Sequence, residues 1–223
     1  MRFDSLKYTK AMKYIKLFEN FEDYDPYELM ITPPNKKSEM LVHEINKEDK
    51  ANLNLVRDLI VLGANLDWQD EYGRTALHYC VRINHPEIAK MLIDAGADVN
   101  IQDENGLTPL HWCARFDRPE ILGLLIDAGA DLNIQDIFGM TALNYCVRIN
   151  LPEIARMLID AGEDLNIQDN DGWTALHWCA DMNLPEIARM LIDAGADVNI
   201  QNEKGKRPYE VARTQELKKL LQP

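Results

Sequence analysis

The sequence predicts an all-α solenoid of short two-helix units stacked side by side, and three observations point there. Asp70, Asp103, Asp136 and Asp169 recur at intervals of 33 residues, with Asn202 next in line. Gly73, Gly106, Gly139, Gly172 and Gly205 keep that interval, and Gly63, Gly96, Gly129, Gly162 and Gly195 form a second series in step with it. Between the glycines, apolar residues return at helical rather than strand spacing.

The unit that starts at Asp70 shows how each part arises. In Asp70-Glu71-Tyr72-Gly73 the glycine supplies the positive φ of a tight turn. Thr75 is a helix N-cap residue, and Pro109 in the next unit sits where a first-turn proline is tolerated. A helix follows from about Ala76 to Asn84, with Leu77, Cys80 and Val81 on one face. Pro86 opens a second helix carrying Ile88, Ala89, Leu92 and Ile93 at helical spacing. Gly96 ends it, and Ala97 to Asn100 lead to the next turn. A two-helix unit cannot bury its apolar faces alone, so the units must stack.

The periods divide the chain into a helical arm and connector at 1–36, a degenerate unit at 37–69, four full units at 70–102, 103–135, 136–168 and 169–201, and a capping unit at 202–223. In the degenerate unit Leu53, Leu55, Val56, Leu59 and Ile60 match the second helix, while Met40 and Val42 stand where the turn has Gly and Thr. In the capping unit Arg207-Pro208-Tyr209 replaces Thr-Pro-Leu, and Glu216 to Leu221 is a shortened second helix. Within the arm, Tyr8, Ala11, Met12, Tyr14, Ile15, Phe18 and Phe21 share one side of a helical wheel, opposite Lys10, Lys13 and Lys16. Such a basic amphipathic helix covers the first unit or contacts a partner. Pro33-Pro34 reads as a stiff connector after it.

These residues resemble the ankyrin-repeat family. Its Gly-x-Thr-Pro-Leu-His signature is intact at Gly106 to His111, and carries Ala for Pro at Thr75 to His78 and Thr174 to His177. Its Gly-Ala-Asp-Val-Asn stands at Gly96 to Asn100 and Gly195 to Asn199. Asn144 departs from the usual His, and Asn-x-Pro-Glu departs from Gly-His-x-Glu before the second helix. The resemblance implies turn tips with short hairpin character and a non-catalytic role in binding other proteins. It also implies that the signature histidine bonds backbone near the turn.

Composition narrows the partner. The chain has 223 residues and a net charge of −13, with 46% hydrophobic and 27% charged residues. That balance argues against nucleic acid, whose binders cluster Lys and Arg. No apolar run approaches the ~18 residues of a membrane span, and the first residues lack the apolar stretch of a secretory signal. A cytoplasmic protein is the expectation, or an effector exported by a specialised system.

Cys80, Cys113, Cys146 and Cys179 invite a metal or disulfide reading, but stacked helices place equivalent atoms ~10 Å apart. A disulfide needs Cα atoms within about 7 Å, and zinc holds sulfur at about 2.3 Å. The thiols therefore read as small buried groups, where the family usually has Ala. The same spacing bars a shared metal at His78, His111 and His177. No nucleophile–base pair and no phosphate-cradling loop is present, so neither catalysis, a cofactor, a metal nor a small-molecule ligand is expected.

If Leu77, Cys80 and Val81 face the core, Tyr79, Arg82 and Ile83 face the other way. Equivalent places hold Trp112, Arg115 and Phe116, then Tyr145, Arg148 and Ile149, then Trp178, Asp181 and Met182. In the family this side is the concave groove, and aromatic and arginine residues are enriched where proteins bind. The tips add Tyr72, Ile137, Phe138, Met140 and Trp173, apolar residues at turns that are otherwise polar. The expected function is thus a scaffold or adaptor binding another protein. Alternatives are a regulatory or inhibitory subunit acting through the arm, and a consensus-like engineered repeat. Asn100, Asn133, Asn166 and Asn199 also resemble sites of asparaginyl hydroxylases, although Asn serves such turns structurally.

Overall fold

Prolines and threonines set the helix starts. The computed structural model describes residues 26–47 and 51–222, and these hold helices and turns but no strand. In chain order the helices are α1 (Pro26–Ile31), α2 (Pro34–Ile45), α3 (Leu53–Val61), α4 (Ala76–Ile83), α5 (Pro86–Asp94), α6 (Pro109–Phe116), α7 (Pro119–Asp127), α8 (Ala142–Arg148), α9 (Pro152–Asp160), α10 (Ala175–Met182), α11 (Pro185–Asp193), α12 (Pro208–Val211) and α13 (Gln215–Leu220). The amphipathic stretch between Tyr8 and Phe21 lies outside the described residues.

The helix pair α4–α5 explains the rest. Thr75 is the N-cap of α4. Asn84 closes the helix with φ 58°, and the His85 N–H donates to the Cys80 carbonyl at 2.9 Å, a left-handed cap. Asp117, Asn150 and Asn183 do the same in later units, at φ 55°, 56° and 60°. Asn and Asp tolerate this region better than other side chains, which is why the departure from Gly is harmless. Pro86 then starts α5 at its first position.

Burial follows from stacking. First helices pack on first helices along α2, α4, α6, α8, α10 and α12, and second helices on second helices along α3, α5, α7, α9, α11 and α13. Leu77, Cys80, Val81, Ile88, Ala89 and Leu92 are fully buried. Each buried Leu, Ile or Val contributes about 1.5–3 kcal/mol. A lone unit would leave one flank of these residues wet, so the interface between units carries the fold.

Polar groups stitch the units together at regular intervals. The Glu104, Ile137, Asn170 and Glu203 N–H groups donate to Tyr72, Asn105, Phe138 and Asp171 carbonyls of the preceding tip at 2.9–3.1 Å. Gln69 Nε2 donates to the Gly73 carbonyl of its own tip and to the Gln102 carbonyl one unit on. Gln102, Gln135 and Gln168 repeat both bonds. Asn100, Asn133 and Asn166 accept from the Asp131, Asp164 and Asp197 N–H groups at 2.8–2.9 Å.

The signature histidines join the turn to the next unit, as the family resemblance implies. His78 Nδ1 accepts from the Thr75 N–H at 3.1 Å, and its Nε2 lies 3.0 Å from the Leu107 carbonyl of the next unit. A backbone N–H can only donate, so Nε2 carries the ring proton. Burial pushes this imidazole down to about 4, consistent with a neutral ring. His111 and His177 bond the Met140 and Lys206 carbonyls in the same way.

Two places depart from the expected pattern. Met40 and Val42 do not replace a turn: they lie within α2, which crosses the boundary placed at 36/37. Pro33, in the short link after α1, is the N-cap of α2, and Pro34 is its first residue. Lys37, Ser38, Leu41, Glu44 and Ile45 are its buried residues, a helical stripe that packs on α3 and α4. The other departure is the third full unit. There, among the described residues, Asn144 makes no bond to the next unit and its Nδ2 is buried without a partner, and α8 ends at Arg148.

Candidate functional site

The turn tips and the first helices share one face, tied together by side chains nine residues apart. Asp103 Oδ1 accepts from the Asn105 and Leu107 N–H groups of its tip at 2.9 and 3.0 Å, which fixes the turn. Its Oδ2 accepts from Trp112 Nε1 at 3.0 Å. Asp169 takes Trp178 Nε1 at 2.9 Å, Asp136 takes the Tyr145 hydroxyl at 2.7 Å, and Asp70 takes that of Tyr79. At Asp70 burial acts to raise the carboxyl, but bonds from Tyr79, Arg74 and Tyr72 outweigh it and hold it below its ordinary value. Burial and the Asp136 carboxylate together push the Tyr145 phenol well up.

That arrangement changes which of the expected residues are available. Trp112 is only 6% exposed and Tyr79 is likewise buried, while Tyr145 and Trp178 are half-buried. The rings pack between helix and tip because an aspartate already holds each polar end. Met140 is also buried, at 3%, with its sulfur 3.4 Å from Arg148 Nη1. Neither it nor Trp112 forms part of a free surface. Sequence reasoning gave the direction of these side chains but not their depth. The constant Asp-to-aromatic spacing was the signal that could have given it.

Arginines and aliphatic side chains occupy the free part of the face. Arg82, Arg115 and Arg148 are exposed, one on each of α4, α6 and α8. Arg82 lies 4.9 Å over the Tyr79 ring, Arg115 5.8 Å over Phe116, and Arg148 5.2 Å over Trp178. Arg82 also donates to Asn46 Oδ1 at 2.7 Å, a partner the sequence did not signal. Among the described residues, none of the three is in an ion pair. The fourth place differs: Asp181 is bound by Arg213, which lies between α12 and α13, at 2.8 Å.

Beside this column stand Ile83 and Phe116, half-buried, and Ile149 and Met182, exposed. At the tips Phe138 is 59% exposed, and Ile137 and Tyr72 are also exposed. Trp173 is half-buried, its ring 4.9 Å from that of Trp178. Arg74, absent from the expected set, stacks 4.6 Å from Tyr72 and 5.4 Å from Trp112.

Elsewhere the chemistry is structural. The four cysteines are free and buried, and burial pushes their thiols well up. No group of three or more His, Cys, Asp or Glu among the described residues could hold a metal ion. No described helix is long and apolar enough to cross a membrane. Asn100, Asn133 and Asn166 carry the inter-unit bonds already described. Asn199 is exposed, and its N–H bonds Asp197 Oδ1 at 2.8 Å.

Comparison with known families agrees with the geometry. The family model described as ankyrin repeats (3 copies) matches residues 43–136 and 124–202. With its stacked helix pairs, stitched tips and signature histidines, the chain belongs to the ankyrin-repeat family.

Proposed function

We propose that this chain is a scaffold or adaptor that docks another protein across the first-helix face and the tips of its third and fourth full units. Ankyrin repeats generally serve as protein–protein interaction modules. The observation that carries the reading is the exposure of Ile137 and Phe138 at a tip and of Ile149 and Met182 at the ends of α8 and α10, along helices whose Arg115 and Arg148 have no ion pair among the described residues. Scattered single apolar residues need no explanation, but several on one repeating face bordered by charge suit an interface. No member of the cluster is placed to do chemistry, so binding is the role it supports.

Affinity capture with the full chain tests this. The wild type is compared with Phe138→Asp/Met182→Asp and with Arg115→Ala/Arg148→Ala, each first checked for an unchanged melting profile. Trp112→Ala is a poor probe, since removing a buried Trp costs about 3–5 kcal/mol. A protein held by the wild type should be lost from both variants. A captured set that neither variant alters would sink the reading.

A further inference from the structure

The spacing and charge of the free face define the chemistry of its occupant. Resting on the docking role above, we infer that the face binds an extended, acidic peptide in polyproline II conformation, with a carboxylate at every third residue and an apolar residue after each.

Three facts lead there. First, Arg82, Arg115 and Arg148 recur once per unit with no carboxylate partner among the described residues, in a chain of net charge −13. Each guanidinium lies over an aromatic ring. Contact with a ring leaves edge N–H donors for a carboxylate, although Arg82 already gives one N–H to Asn46 and Arg148 one to the Met140 sulfur. Second, the column has two ends. Beyond Arg148 comes Asp181, already occupied by Arg213, and before Arg82 comes Asn46, to which Arg82 donates. Third, each arginine is followed in sequence by an apolar residue, in order Ile83, Phe116 and Ile149. The occupant therefore meets two parallel columns, one cationic and one apolar.

Periodicity selects the conformation. Stacked helices stand ~10 Å apart, so the rungs recur at about that distance. A polyproline II chain rises about 3.1 Å per residue with three residues per turn, so it presents the same face every ~9.3 Å. A β-strand covers a similar distance in three residues, but its side chains alternate and would point every second carboxylate away. A straight α-helix matches only with seven-residue spacing, and its carboxylates then drift about 20° around the axis at each step. Three rungs accommodate about seven residues of a polyproline II chain.

The test is a fluorescence anisotropy titration of the full chain with labelled peptides of four Glu-Val-Pro units. The comparison peptides are a same-composition isomer with glutamates at every second position, a Lys-for-Glu version, a helical peptide with glutamates seven apart, and a single-stranded oligonucleotide. The Glu-Val-Pro peptide should bind best, by about tenfold or more over each comparison, and weaken steeply with salt. Arg115→Ala/Arg148→Ala should cost about tenfold or more, and Asp160→Ala on the opposite helix should cost nothing. Equal binding of the isomer, the helical peptide or the oligonucleotide, no binding of the Glu-Val-Pro peptide, or indifference to the arginine substitutions overturns the inference. If a protein captured by the wild type is still lost from the Phe138/Met182 variant, only the peptide chemistry fails. If capture also ignores that variant, the docking role fails with it.

Discussion

Glu163 stands where the other units carry Ala64, Ala97, Ala130 and Ala196, and it is 4% exposed. Among the described residues neither of its carboxyl oxygens meets full hydrogen-bond geometry, and the Thr141 hydroxyl and Leu143 N–H only approach it. Burial pushes it from an ordinary 4.5 up to about 8, against weaker opposition from the nearby Thr141 hydroxyl and Leu143 N–H. The sign follows from linkage. Below the ordinary value both states are neutral and the cost is absent. As pH rises the unfolded chain ionises first, and stability falls until the folded carboxyl also ionises near 8. At about 1.4 kcal/mol per unit the full cost is on the order of 5 kcal/mol, reduced by any local relaxation. Glu163→Ala is therefore expected to stabilise the protein by several kcal/mol at alkaline pH and by little near pH 4. Urea unfolding at both pH values checks it, and a gain that does not widen with pH would show that the carboxyl is not held neutral.

At the scale of the element, the tips show how one residue type serves two demands. Gly172 has φ 76°, and a Cβ there would lie 2.7 Å from the Glu203 N of the next tip. Gly205 has a similar φ of 69° but no neighbour within 4 Å among the described residues. Replacing Gly205 by Ala costs only the left-handed strain, roughly 1–2 kcal/mol. Gly172→Ala must also push two tips apart, for a total of about 3 kcal/mol or more. Thermal melts of the two variants decide, and equal losses would mean that the tips do not press on one another. The third unit shows the opposite economy, since Asn144 leaves out the bond that His78, His111 and His177 make to the following unit.

At the scale of the whole molecule, the period read from Asp, Gly and the apolar stripes gave the fold of stacked helix pairs, because identical units impose identical local rules. Three features escaped it. Helix α2 was missed because its start at Pro34 falls outside the period, although its stripe from Lys37 to Ile45 is itself helical. The depth of Tyr79 and Trp112 was missed because a helical wheel gives direction, while burial depends on the aspartate that holds each ring. The burial of Glu163 is not legible in sequence, because one charge in a turn reads as solvated until packing shows that it is not. Within the candidate face, the exposed arginines and Ile149, Met182, Ile137 and Phe138 were legible from position alone.

The glutamine amides carry a consequence for length. Each one reaches a carbonyl 33 residues further on, so chain length and bonding are locked to a common increment. Excising residues 103–135 would join Gln102 to Asp136 and hand it the Gly139 and Gln168 carbonyls that Gln135 now uses. The shortened protein should still unfold cooperatively, at a lower midpoint, by denaturant titration followed with circular dichroism. Excising 103–134 instead should cost far more helix and stability, and equal behaviour of the two would refute the locking. Lengthening or shortening thus proceeds in whole steps, and any other insertion has to be looped out at the surface.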